Sequence, residues 1–397
     1  MIDKNTAEHN LKRLGRAWGV SGLVFLMPVI TLLYKYSGLS TIQIVLLANI
    51  STIVFAVFEL PTSTLADTLG RKKSLMRSAG ANIGSAALIF LFPAFWSYAL
   101  ASVCFGFYWC FWSGTAQAFL DENLRVLGRE KEFGKIIGHY NALEKAAGVI
   151  APLVTAGILK WLGEDGYQWL AGFDFVFALL LRFCLKQLHE TVFSFGFVSI
   201  SDFFKQQFTT AKRALKNVRT NKTLRMYTLY RSLSNHVSYF LLLAFILMTD
   251  AGMPDRLSGF IVVGSSFSMM IASKYAYLIG DKQGWGWLRV FGSSMQALLL
   301  ILLGFFTQQW IIIAIVYIVF EFFEGLWMPA WNHCIVEETK GVAIATTRSI
   351  IFALFGMRTT FGKQILSIFP IEYALIGIGC FLLIVNGIFA KTISKQG

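Results

Sequence analysis

The chain is 397 residues long, 56% hydrophobic, 15% aromatic and only 14% charged, where a soluble chain carries roughly a quarter charged residues. Apolar runs of about 20 residues, the length that crosses a hydrocarbon core of ~30 Å, recur from end to end. These features exclude a soluble enzyme, a nucleic-acid-binding domain, a disulfide-stapled secreted module and a disordered chain. The fold class expected is all-α, a polytopic membrane protein, because barrel strands would alternate over ~10-residue segments instead of running continuously apolar.

Twelve transmembrane helices are predicted, at 14–35, 40–64, 76–95, 97–120, 136–160, 167–187, 225–249, 256–279, 286–307, 309–333, 341–366 and 369–391. The polar start, MIDKNTAEHNLKRLGR, runs straight into the first of them, so no cleavable signal peptide is expected. The long connection between the sixth and seventh divides the chain into a six-helix bundle at 1–187, a linker at 188–224 and a second six-helix bundle at 225–397. In the linker, Ile200, Phe203, Phe204, Phe208, Ala211, Leu215 and Val218 recur at helical spacing, with Lys205, Lys212, Arg213, Lys216 and Arg219 between them. That pattern predicts an amphipathic basic helix lying on the lipids of the inner leaflet.

The net charge of +13 reads as topology, with no nucleic-acid partner implied. Arg13, Arg16, Arg71, Lys72, Lys73, Arg77, Arg125, Arg129, Lys131 and Lys135 fall outside or at the ends of the predicted spans on one side, with the basic linker. By the excess of Lys and Arg in cytosolic loops, both termini are cytosolic. Cys104, Cys110, Cys184, Cys334 and Cys380 form no CxxC pair and read as small apolar packing residues, with no disulfide or metal.

The two halves echo each other. LADTLGRKKSL (65–75) follows the second span and LIGDKQGWGWL (278–288) the eighth, matching Asp67 with Asp281 and Gly70 with Gly284. A similar offset matches Trp112 with Trp327, Gln117 with Asn332, Glu122 with Glu337 and Arg16 with Arg231. Parallel six-helix repeats are what a transporter with a midplane site between two halves would need.

The stretch FELPTSTLADTLGRKKSL resembles the loop 2–3 signature of the major facilitator superfamily, with Asp67, Gly70, Arg71 and Lys72 in register and Ser63 where the first glycine usually stands. Glu59, Pro61 and Thr62 resemble a run found in bacterial drug-efflux-like members. Two other signatures are eroded. ASVCFGFYWCFWSG, in the fourth span, lacks the arginine of many proton-coupled members, and AAGVIAPLVTAG, in the fifth, keeps Pro152 and Gly157 but few glycines. The resemblance implies the superfamily's fold of two pseudo-symmetric bundles. It also implies a cytosolic latch, in which Asp67 accepts from the start of the eleventh helix and Arg71 pairs with Asp121 or Glu122 beside Gly70. It implies further that helices 1, 4, 7 and 10 line a central cavity.

Carboxylates inside a membrane are informative because burying one is costly unless it is paired, solvated or protonated. Glu321 and Glu324 lie mid-way along the tenth span, and Glu144 and Glu59 stand in the fifth and second; these four are the candidate proton carriers. Tyr108, Trp109 and Trp112 on the fourth helix, with Glu324, Trp327 and Trp331 on the tenth, are expected as an aromatic wall facing a carboxylate. Such a wall suits a cationic or amphiphilic solute. Arg231 is read as snorkelling to the interface.

No catalytic residue emerges. The phosphate-binding GxxxxGK[ST] and the nucleophile GxSxG are both missing, and no histidine falls at metal-ligand spacing; neither enzyme, cofactor nor metal is expected. The leading reading is a monomeric secondary active transporter of a small organic solute, working by alternating access in a bacterial inner membrane and exporting against protons. Its rivals are a proton-coupled nutrient importer of the same fold and a non-transporting membrane scaffold or receptor.

Overall fold

The structure, a computed structural model, describes residues 3–190, 209, 212, 216, 219–338, 360 and 362–393, except the side chains at 60, 63, 64, 67–69, 134, 135, 138, 227, 277, 281, 329–338 and 391–393. Every regular element among the described residues is a helix, and seven segments among them are long and apolar enough to cross a membrane. Most of the predicted linker helix and of the span at 341–366 lies outside the described residues.

The chain forms two compact units. The first comprises Met1–Met27 and Leu47–Arg213, the second Pro28–Leu46 and Ala214–Gly397. In the first unit, α1 (Lys4–Ser21) opens on Asp3, whose side chain accepts from the Thr6 amide at 2.6 Å and caps the first turn. Then come α3 (Thr41–Leu69), α4 (Arg71–Leu91), α5 (Phe95–Leu127), α6 (Phe133–Leu162) and α7 (Gly166–Lys186), with the seven-residue α2 (Ile30–Tyr36) standing between α1 and α3. Helix α4 packs on α5 and α7, and α1 packs on α5, α6 and α7. At 33 residues, α5 is roughly 50 Å long, longer than a hydrocarbon core of ~30 Å, and Asp121, Glu122 and Arg125 stand in its last turns.

The second unit continues with α8 (Lys222–Ser234), α9 (Ser238–Asp250), α10 (Ser258–Gln283), α11 (Trp285–Gly304), α12 (Trp310–Glu338) and α13 (Ile371–Ile393). Here α11 packs on α12 and α13, and α10 on α12. Helix α2 belongs to this unit: Lys35 pairs with Asp250, the Tyr36 hydroxyl donates to Asp255 at 2.9 Å, and α2 packs on α9.

One pair matched in the sequence, Gly70 and Gly284, adopts the same backbone. Gly70 joins α3 to α4 at φ 101°, ψ 142°, and Gly284 joins α10 to α11 at φ 89°, ψ 137°. Only glycine adopts that region without strain, so the matched glycines make the same corner twice.

Two predicted spans are broken. The span expected at 14–35 ends at Ser21 and resumes at Ile30, after a 3₁₀ turn at Met27–Val29. Hydropathy alone did not reveal this, although Pro28, which has no N–H to donate and crowds the preceding turn, stands in the 3₁₀ turn itself; groups on other helices complete the break. The Asp174 carboxylate of α7 accepts from the amides of Phe25 (2.7 Å) and Leu26 (3.2 Å), and Thr155 of α6 donates to the Phe25 carbonyl at 2.6 Å. A β-carbon at Gly22 would overlap the Glu144 carbonyl oxygen, so glycine lets the chain cross α6 there. The span expected at 225–249 is likewise interrupted, by a 3₁₀ turn at Asn235–Val237 between α8 and α9.

Candidate functional site

In the first unit, α1, α5 and α6 bring together an aromatic seam. Trp18 lies 5.6 Å from Trp112 and 5.7 Å from Tyr140, centroid to centroid, and Tyr108 lies 6.2 Å from Trp112. The Trp18 indole donates to Glu144 at 2.9 Å, and the Tyr140 hydroxyl to the Leu11 carbonyl at 2.6 Å. Trp112 is only 4% exposed and Tyr108 is buried with it, whereas Trp109 is 38% exposed. The expectation of an open wall is therefore corrected at Trp112: its ring fills the seam between helices.

Beside this seam runs a groove of about 860 Å³, formed by α1, α6 and α7. Leu23, Leu143 and Leu180 give it apolar walls, and Glu8, Lys12, Arg16 and Arg129 bring charge to it. Tyr140 lines it, but Tyr108, Trp109 and Trp112 do not. It thus combines apolar surface with charges of both signs.

The second unit contains a polar knot inside a membrane helix. Glu324 of α12 accepts from the Gln296 amide of α11 (2.9 Å) and from the Trp327 indole (2.9 Å), which also reaches the Gln296 carbonyl (3.0 Å). Arg231 of α8 lies 4.3 Å from the centroid of the Trp327 ring and feels the charge of Glu324. Trp327 is 1% exposed and Arg231 6%. Two expectations change here. Arg231 does not snorkel but is buried against Trp327, and Trp327 is a core residue whose face is already covered by a cation. Glu321 lies on the same helix, one turn from Tyr317. Glu59 bears on Cys110 across α3 and α5. The side chain of Trp331 is outside the described residues.

At the start of α4 and the end of α5, Arg71 pairs with Glu122 at 2.5 Å, while Asp121 pairs with Arg125 at 2.9 Å. The Asp67 side chain and the start of the eleventh predicted span, its expected partner, are outside the described residues. The segment after α7 joins this cluster. Glu190 accepts from the Lys72 amide at 3.1 Å and lies against Gly70. Asn10 donates to Asn123 and to the His189 carbonyl, both at 2.9 Å, and accepts from the His189 amide at 2.8 Å; Arg13 donates to the Gln187 carbonyl. Residues 187–190 thereby tie α1 to the start of α4, and Asn10 links them to α5 through Asn123.

Sequence reasoning missed Arg231, Gln296, Glu190 and Asp174 as participants. Asp174 carried a usable signal, a lone carboxylate in the apolar run GYQWLAGFDFVFALLL. Glu190 and Gln296 carried none, since nothing local announces a partner on another helix.

Residues 3–228 match a family model described as "Sugar (and other) transporter". No curated protein matches the chain by sequence. Among solved structures, the fold is similar to that of a D-xylose-proton symporter (TM-score 0.70, 14% identity, covering 98% of this chain and 96% of that one). It is also similar to a mutant of the nucleoside transporter NupG (TM-score 0.69, 12% identity, 98% of each chain). A third similar structure addresses substrate recognition in proton dependent oligopeptide transporters (TM-score 0.68, 11% identity, 99% of each chain).

Proposed function

We propose a mechanism for a chain that belongs to the sugar (and other) transporter family, within the major facilitator superfamily: it exports a small organic solute by alternating access, driven by the proton gradient. It is a secondary transporter embedded in a membrane, and not an enzyme. The proposal adds the direction, the coupling ion, a bacterial inner membrane with both termini cytosolic, and a solute of amphiphilic character. The groove in the first unit, with apolar walls and mixed charge, supports such a solute.

The observation that carries proton coupling is the knot at Glu324. A carboxylate at that depth is held by Gln296 and Trp327 and faces the charge of Arg231. Taking up a proton there removes the anion that balances Arg231, so protonation and the packing of α8 on α12 become linked. Glu324 is the proposed carrier, with Glu321, Glu144 and Glu59 next in order. The Arg71–Glu122 pair, with Gly70, Asp121 and Asp67, is the proposed inner latch, and Trp109 and Trp331 are proposed at the solute's surroundings.

The test is transport of a panel of labelled solutes by purified protein in vesicles, under pH gradients of either sign. Glu324→Gln should abolish uphill movement while sparing downhill exchange, because a permanently neutral site still alternates but no longer links alternation to protonation. Uphill transport by that variant would place the carrier elsewhere. Import under an inward proton gradient would favour symport, in line with the likeness to a proton symporter. Absence of all flux would favour the scaffold.

A further inference from the structure

The break in the first predicted span coincides with a boundary. Residues up to Met27 belong to one compact unit and Pro28–Leu46 to the other. Helix α1 is held by its own unit through α5, α6 and α7, whereas α2 is held by the Lys35–Asp250 pair and the Tyr36–Asp255 bond. One apolar stretch is thus anchored in two bodies, and residues 22–29 between the anchors form the joint.

Phe25 fixes the joint on the first body. Its amide donates to Asp174 at 2.7 Å, its carbonyl accepts from Thr155 at 2.6 Å, and its ring lies 5.6 Å from Phe173 and 5.0 Å from Phe177. Of these attachments only Asp174 can change charge. The described influences on its carboxyl group are burial and the amides of Phe25 and Leu26. Arg13 and Arg16 on α1, Arg77 on α4, Glu144, Lys145 and Lys160 on α6, and Arg182 and Lys186 on α7 itself are not among them. Among the described residues, therefore, no neighbouring charge fixes its protonation state.

We propose that Asp174 is the positioning residue of a proton-operated clasp: as an anion it grips the Phe25 and Leu26 amides and holds the joint to the first unit, and on protonation it lets the joint go. An anionic acceptor makes bonds about twice as strong as a neutral one, so uptake of one proton loosens both amides together. The clasp rests on the alternating-access reading, because a joint between two bodies matters to transport only if the bodies move.

Hydrogen exchange at the Phe25 and Leu26 amides tests it in the full-length protein, without reference to any solute. Rates are divided at each pH by those of an unstructured peptide of the same sequence, over about pH 5 to 8, where buried carboxyl groups titrate. In the wild type, protection should fall at least about tenfold on acidification, the loss expected when a charge-assisted bond is weakened. Asp174→Asn should be poorly protected at every pH. Thr155→Ala, which loses only the carbonyl's partner, should be less protected throughout yet keep the wild-type pH response. Wild-type protection that does not change with pH would overturn the clasp and leave a static cap, and so would wild-type protection in Asp174→Asn. The wild-type curve alone decides the matter if a variant fails to fold. If exchange follows the expectation while no solute moves in vesicles, the transport reading fails and the clasp stands.

Discussion

At Trp327 a single indole ring meets three demands: its N–H reaches Glu324 and Gln296, its face carries Arg231, and its edge fills the core of the second unit. Trp112 answers a simpler need, closing the seam with Trp18 in the first unit. Replacing either by alanine should therefore be expressed in stability. The expected loss is about 3–5 kcal/mol for each, as for other buried aromatic rings, measured as the shift in unfolding in detergent. Trp327→Ala should in addition weaken proton-driven transport, because Glu324 loses a donor and Arg231 its platform. Trp109, at 38% exposure, should tolerate alanine with little change in stability. A Trp112→Ala protein as stable as the wild type would return that ring to the cavity wall.

Among elements, the corner between α3 and α4 is where sequence and geometry agree most closely. Gly70→Ala and Gly284→Ala should each cost about 1–3 kcal/mol, the price of a side chain in a region that glycine alone occupies freely. A β-carbon at Gly70 would also displace Glu190, so that variant should lose the cap on Lys72 as well. Equal thermal stability of both variants and the wild type would contradict the backbone reading. The Arg71–Glu122 pair admits a separate check: Glu122→Arg should slow transport, and adding Arg71→Glu should restore part of it. Seven apolar segments among the described residues and the paired glycine corners were legible because hydropathy and a repeated Gly are properties of contiguous sequence. The partners were not. Gln296 and Glu324, or Thr155 and Phe25, meet only after helices pack, and a buried Arg231 looks the same in sequence as one that reaches the interface.

In the whole molecule the two breaks recur at matching places. The offset that aligns Arg16 with Arg231 brings Gly22, where α1 has just ended, onto Val237, the last residue of the turn between α8 and α9. Each half therefore begins with an interrupted helix, although the local chemistry differs: Asp174 and Thr155 stabilise the first break, and His236 lies against the Leu233 carbonyl at the second. Because α2 is fastened within the second unit, a short cross-linker joining cysteines at positions 35 and 250 should leave the transport rate as it was. Both anchor points belong to the same body, and the constraint spans no moving joint. Loss of transport on cross-linking would mean that α2 slides on α9 during the cycle.

The interruption of the first span also constrains the order in which the molecule is assembled. Asp174 is made 149 residues after Phe25, which at ordinary synthesis rates is a delay of roughly 7–30 s. Throughout that interval the stretch 14–35 enters the bilayer without the carboxylate that satisfies its broken backbone, and an unsatisfied amide in lipid is expensive. The nascent segment, already bent at Pro28, should therefore reach its final broken form only when α6 and α7 arrive. The break would thus be completed late in maturation, although Pro28 marks its place from the start.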